Sequence, residues 1–240
     1  MARVLVTRHQ PEAEETAGAL RQMGFEPFVS PTRRLVPLKP PSVTGAFDAL
    51  IVTSRNALSA ASRLPAEFLR LPLFCVGDRT AMAAREVGFL KVVPGGDDAE
   101  ALVRTIRRDV ATGSRMLYLA GEPRRETIET QITSLGFSLE TQVIYRMERT
   151  ESLTEEVLAA LRAGRLAAAL HFSSESARDF LSLAAQGGVL EDAVRLRHFC
   201  FSEAVAETLG TSGVAVERLS VAASRDQVSL LALLRTQLTT

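Results

Sequence analysis

Tryptophan is absent from this sequence, tyrosine and cysteine occur twice each, and lysine occurs only at Lys39 and Lys91. Two lone cysteines without a CxxC spacing exclude a disulfide framework and a thiolate metal centre. Net charge is missing too. Acidic and basic residues balance at 28 each with a pI near 6.9, so no basic field exists to hold nucleic acid or an anionic membrane. No apolar run approaches the roughly 20 residues of a membrane span. The opening MARVLVTRHQ runs into a strand pattern with no apolar signal segment, so a cytosolic protein is expected. The sequence also lacks a G-x-G-x-x-G after a strand, a G-x-x-x-x-G-K-[ST] loop and a G-x-S-x-G elbow. Dinucleotide, P-loop and serine-nucleophile chemistry are thereby set aside. His9, His171 and His198 share no ligand spacing, and no metal centre is expected.

What is present is an ordinary globular composition over 240 residues, 46% hydrophobic and 23% charged, with a mean hydropathy of +0.10. Of the 28 basic residues, 28 − 2 = 26 are arginines, whose planar forks bind carboxylates in bidentate fashion. A small anionic ligand therefore fits better than a polyanion.

The chain is internally duplicated. Ala49-Leu50-Ile51-Val52-Thr53-Ser54 overlays Ala169-Leu170-His171-Phe172-Ser173-Ser174, Phe74-Cys75-Val76 overlays Phe199-Cys200-Phe201, and Leu20-x-x-Met23-Gly24-Phe25 overlays Ile132-x-x-Leu135-Gly136-Phe137. Each copy of the first match reads as strand, hydroxyl cap and helix. A helix N-terminus leaves backbone N–H groups unpaired and partly positive, so the paired junctions suggest anion sites facing a shared cleft. His171, in the overlay position of Ile51, reads as a strand residue of core or rim. Cys75 and Cys200 read as buried strand thiols.

In chain order, strands are expected at 3–7, 26–30, 47–53, 73–76, 91–93, 116–119, 140–146, before Ser173, at 198–201 and at 215–219, with helices after most of them. Ser152-Leu153-Thr154-Glu155 and Ser224-Arg225-Asp226-Gln227 have the form of capping boxes. Strands alternating with helices predict α/β architecture: two similar lobes, each a parallel sheet covered by helices on both faces. Ser30–Pro41 holds four of the ten prolines and marks one crossing between lobes; the second lies near Met147–Glu151. Ligands in such sheets bind at the carboxyl ends of the strands.

The ordered set VLVTR, FDALIVTSRNAL, VGDRTA, LYLAGEPRR, VIYR and HFSSESA resembles the uroporphyrinogen-III synthase family over nearly the whole chain. The resemblance implies two α/β lobes joined by a two-stranded linker. One lobe would comprise 1–36 plus 149–240, the other 37–148. It implies an enzyme, a cyclising hydro-lyase, that closes hydroxymethylbilane into uroporphyrinogen III with loss of water and inversion of ring D, using no cofactor. The substrate is a linear tetrapyrrole with eight carboxylates, and the expected state is a monomer in transient contact with the enzyme that supplies it. By similarity Thr53, Ser54, Asn56, Thr80, Ser173 and Ser174 contact substrate, with Gly121 and Arg125 on a further motif and Arg8 as another partner. Tyr145 falls on the family's tyrosine at a strand end, where it would protonate the departing hydroxyl, while Tyr118, inside the apolar MLYL run, reads as core. The family's Gly-x-x-Thr helix start is replaced by Phe201-Ser202-Glu203-Ala204-Val205, where Ser202 would cap instead. A non-catalytic two-lobed binding or sensor protein for a small anionic ligand is the alternative, and it leaves Tyr145 without a role.

Overall fold

The computed structural model describes residues 1–39, 43, 45–61, 64–124 and 126–238, with side chains at 59–61 left aside. The chain divides into two compact units, Met1–Arg34 with Glu148–Thr240, and Leu35–Met147. It starts in the first unit with β1 (Arg3–Val6), α1 (Glu12–Gln22) and β2 (Glu26–Val29), and passes through β3 (Arg33–Pro37) into the second. The second unit continues with β4 (Ala49–Val52), α2 (Arg55–Ala61), a 3-10 turn (Ala66–Arg70), β5 (Pro72–Cys75), α3 (Asp78–Val87), β6 (Lys91–Pro94), α4 (Ala99–Asp109), β7 (Arg115–Glu122), α5 (Thr127–Ser134) and β8 (Ser138–Arg149). Back in the first unit follow α6 (Glu155–Arg162), β9 (Ala168–His171), α7 (Ser174–Gln186), α8 (Leu190–Val194), β10 (Arg197–Cys200), α9 (Glu203–Thr211), β11 (Leu219–Val221) and α10 (Gln227–Leu238).

The sheet of the first unit has the order β11-β10-β9-β1-β2, and that of the second β3-β8-β7-β4-β5-β6. The central strands pair in parallel. Their apolar runs are continuous because helices cover both faces: every residue of β4, Ala-Leu-Ile-Val, is buried. Each sheet consequently has two cores. In the first unit Leu5, Ala169, Phe180 and Cys200 lie in one, and Val4, Val6, Phe199 and Leu230 in the other. Phe180 and Phe199 are fully buried, each worth about 1.5–3 kcal/mol of burial. Local signals set the helix ends. Asp98 caps α4 by accepting from Ala101 N at 2.7 Å, Ser173 caps α7 by accepting from Ser176 N at 3.1 Å, and Gly88 ends α3 in the left-handed region at φ 107°.

Several expectations are corrected. Neither capping box closes as expected. The side chain of Thr154, which directly precedes α6, makes no cap bond, and its backbone N–H donates to Ser30 Oγ. At α10, which begins at Gln227, Asp226 is the capping residue: its Oδ1 accepts from Ser229 N, and Ser224 Oγ donates to its other oxygen. The strand expected at 215–219 opens with a 3-10 turn, Val216–Arg218, and pairs only from Leu219. β8 runs to Arg149, so Tyr145 stands inside the strand, opposite Gly121.

The repeat also slips by one residue from its best letter match. Ser54 and Ser173 directly precede α2 and α7. Leu50 pairs with Leu73 and Val52 with Cys75, while Ala169 pairs with His198 and His171 with Cys200. Val52 is therefore the counterpart of His171, and Thr53 of Phe172. The strand pairings decide the equivalence, since a slip of one turns every side chain to the opposite face of the sheet.

Candidate functional site

Each sheet reverses its direction of winding once. In the second unit β7 leads to α5, whose Ile128 and Ile132 pack with Tyr118, whereas the neighbouring β4 leads to α2, whose Ala57 and Leu58 pack on the other face with Leu50. In the first unit β1 leads to α1 on one face and β9 to α7 on the other. Strand loops splay apart at such points, and a crevice opens at the carboxyl edge.

The crevice of the second unit collects most of the expected residues. Thr53 follows β4, and its hydroxyl lies 3.0 Å from the Tyr118 hydroxyl. Ser54 Oγ accepts from Asn56 N at 3.2 Å. On β7, Gly121 lies under the ring of Tyr145: a Cβ on that glycine would stand 2.1 Å from the phenol Cζ and 2.4 Å from its oxygen. Only a residue without a side chain allows this approach. Tyr145 itself is buried, at 8% exposure. Thr80 is buried in the first turn of α3, behind the Gly77 cap. Arg125 lies outside the described residues.

Tyr118 is core, as expected, but its hydroxyl is in use. Burial raises the phenol above its ordinary value, the Thr53 bond pulls it back, and Glu129 and Arg124 act on it through space in opposite senses. Arg124 Nε donates to Glu129 Oε1 at 2.7 Å. Sequence reasoning missed this pair, since nothing in a five-residue separation across a loop and a helix start signals a contact.

In the first unit, the Arg8 guanidinium lies 4.2 Å from the Phe172 ring centroid and donates from Nη1 to Gln227 Oε1 at 3.1 Å. Phe172 and Phe201 meet at 5.6 Å. The corrected register would have exposed Phe172, because it stands where the second unit has Thr53. Ser173 is committed to its cap, and Ser174 Oγ donates to Ala204 O at 2.9 Å. Ser202 precedes α9 without a side-chain cap bond. The carboxyl edge of this unit therefore offers backbone donors, an arginine and two aromatic faces in place of two open hydroxyls.

His171 and His198 are wholly buried below that edge. His198 Nε2 lies 3.1 Å from the Ala193 carbonyl, which only accepts, so that nitrogen carries the proton. His198 Nδ1 must then accept from His171 Nε2, 3.0 Å away. His171 Nδ1 is left bare, buried and without a partner among the described residues. Burial and the facing ring push His171 well below the usual imidazole value, and burial pushes His198 down to about 4. Both rings are neutral structural groups at pH 7. Burial likewise pushes the Cys75 and Cys200 thiols up, to about 11 and about 12. Among the described residues no three His, Cys, Asp or Glu side chains are grouped to hold a metal, and no helix is long and apolar enough to cross a membrane.

A family model described as uroporphyrinogen-III synthase HemD matches residues 14–231. Among solved structures, uroporphyrinogen-III synthetase from Helicobacter pylori aligns with a TM-score of 0.68 at 17% identity, covering 98% of this chain and 99% of that one. A mutant uroporphyrinogen III synthase from Thermus thermophilus aligns with a TM-score of 0.57 at 17% identity, covering 100% and 99%. At that identity the two structures establish a shared fold. A search of curated protein sequences returns no match.

Proposed function

Because the chain belongs to the uroporphyrinogen-III synthase family, matched over residues 14–231, we propose that its reaction is the closure of hydroxymethylbilane to uroporphyrinogen III. It acts in heme biosynthesis as a cyclising hydro-lyase, with loss of water and inversion of ring D. The observation that carries the reading at residue level is the phenol of Tyr145 packed on Gly121 beside the Thr53 and Ser54 loop. There a weak acid, hydroxyls and helix N-termini lie at the carboxyl edge of the second unit's sheet.

The chemistry asks for little more. Hydroxide leaves the hydroxymethyl carbon poorly at neutral pH, and the adjacent pyrrole nitrogen supplies electrons as the carbon–oxygen bond breaks. Tyr145 gives its proton to the departing oxygen, a contribution on the order of 10²- to 10⁴-fold. The backbone N–H groups opening α2, α3, α7 and α9 donate to substrate carboxylates, each contact worth roughly 0.3–2 kcal/mol. Thr53, Ser54, Asn56, Thr80, Ser173, Ser174 and Ser202 border those openings, and Arg8 adds a cation at the edge of the first unit. Contacts that fix the orientation of the last ring steer its inversion, since closure without steering gives the symmetric isomer I.

The test is to add the protein to fresh hydroxymethylbilane and resolve the oxidised products by chromatography. Isomer III is expected as the main product. Isomer I alone would overturn the proposal.

A further inference from the structure

The pair formed by Arg124 and Glu129 is only half satisfied. Arg124 follows β7 after the cis Glu122–Pro123 peptide, and Glu129 sits in the first turn of α5. Their side chains are 24% and 20% exposed, so the pair is partly withdrawn from water. One guanidinium donor, Nε, is spent on Glu129 Oε1 at 2.7 Å, and no other bond from Arg124 exists among the described residues. Glu129 Oε2 is buried with no donor. A desolvated ion pair is favourable only when its remaining donors and acceptors are also met. Here the terminal Nη fork of the arginine and one carboxylate oxygen are left over.

Both leftover groups belong to the β7 side of the crevice. They lie close enough to Tyr118 to act on its phenol, and Tyr118 bonds across to Thr53 on the β4 side. A ligand completing the pair must bring a carboxylate for a planar cationic fork and an N–H for a carboxylate oxygen. A pyrrole bearing an acidic side chain has both.

We infer that Arg124 binds a side-chain carboxylate of one pyrrole ring of the substrate, and that Glu129 is the positioning residue that aims the guanidinium and accepts that ring's N–H. The inference rests on the proposed reaction and adds the residue that selects an acidic pyrrole at this edge. Two charges held by one another through Nε leave the Nη edge fixed in direction, which a free arginine on a loop would not achieve without losing side-chain entropy.

Steady-state kinetics of isomer III formation test it in the full chain, comparing the wild type with Arg124→Gln and with the charge swap Arg124→Glu plus Glu129→Arg, each monitored for thermal stability. Arg124→Gln is expected to raise KM about tenfold with kcat within about twofold. Its KM should also depend less steeply on salt than that of the wild type, because one charge contact is gone. The swap is expected to recover the thermal stability of an ion pair and leave KM high. An unchanged KM in Arg124→Gln, a salt dependence equal to the wild type, or a swap that restores KM would each overturn the inference, the last by showing a purely structural pair. A swap that does not fold leaves the first two readouts decisive. Wild-type protein that yields only isomer I would instead defeat the reaction itself, and this site with it.

Discussion

Lowering the pH from 7 to 5 is expected to remove about 2 kcal/mol from the stability of the first unit through His198, with a further loss of the same sign through His171. Both imidazoles are fully buried and held neutral in the fold, His198 with a value pushed down to about 4 and His171 well below its usual range. In the unfolded chain each titrates near its ordinary value of about 6.5. The unfolded state therefore binds more protons below that value, and stability present above pH 6.5 is lost as the pH falls toward the folded values. At pH 5 the loss through His198 is about 2 kcal/mol, and His171 steepens the dependence in the same direction. Against a total of about 5–15 kcal/mol for a domain, that is a large share. Denaturant unfolding at half-unit steps between pH 7 and 5 reads the slope, and the window stops there because ordinary carboxylates titrate below it. The second unit supplies the control. Val52 and Leu73 fill the places of His171 and His198 there, as the strand pairings establish. Replacing His171→Val and His198→Leu should flatten the dependence. His171 Nδ1 has no partner to lose, so the double variant should stand near the wild type at pH 7 and above it at pH 5. A double variant that keeps the wild-type slope refutes the reasoning.

Three further outcomes are open to measurement, beside the Arg124 kinetics above. Tyr145→Phe should lower kcat on the order of 10²-fold at similar melting temperature; turnover close to the parent rate removes the acid role. Gly121→Ala places a methyl 2.1 Å from the Tyr145 ring, so it should cost about 1–3 kcal/mol by overpacking and displace the phenol. A crystal structure with the ring unmoved, or full activity, would contradict that. The domain reading predicts that a fragment of residues 37–147 folds alone, keeping the β8-β7-β4-β5-β6 core of its sheet. Residues 1–112 should not fold, since that cut removes β7 from beside β4 and β9 from beside β1; a dispersed proton NMR spectrum from the 1–112 fragment would count against it.

The sequence by itself determined the class of fold, because continuous apolar runs such as Ala49–Val52, alternating with amphipathic helices, have one stable solution, a parallel sheet covered on both faces. It also determined the duplication, the buried thiols and the family, since these depend on local pattern and ordered motifs. Tertiary structure alone decided the rest. Letter matching set His171 against Ile51, but the strand pairings set it against Val52, because a β-strand's period of two makes face, not spelling, the equivalence. The expected caps moved because the helices start later than the local pattern suggests, α10 only after Asp226. The approach of Tyr145 to Gly121, the bond from Thr53 to Tyr118, the imidazole pair and the hold of Glu129 on Arg124 all join separate elements of the fold. Their distances are set by strand register and helix packing, and no local pattern of residues encodes a contact that exists only once two elements have docked.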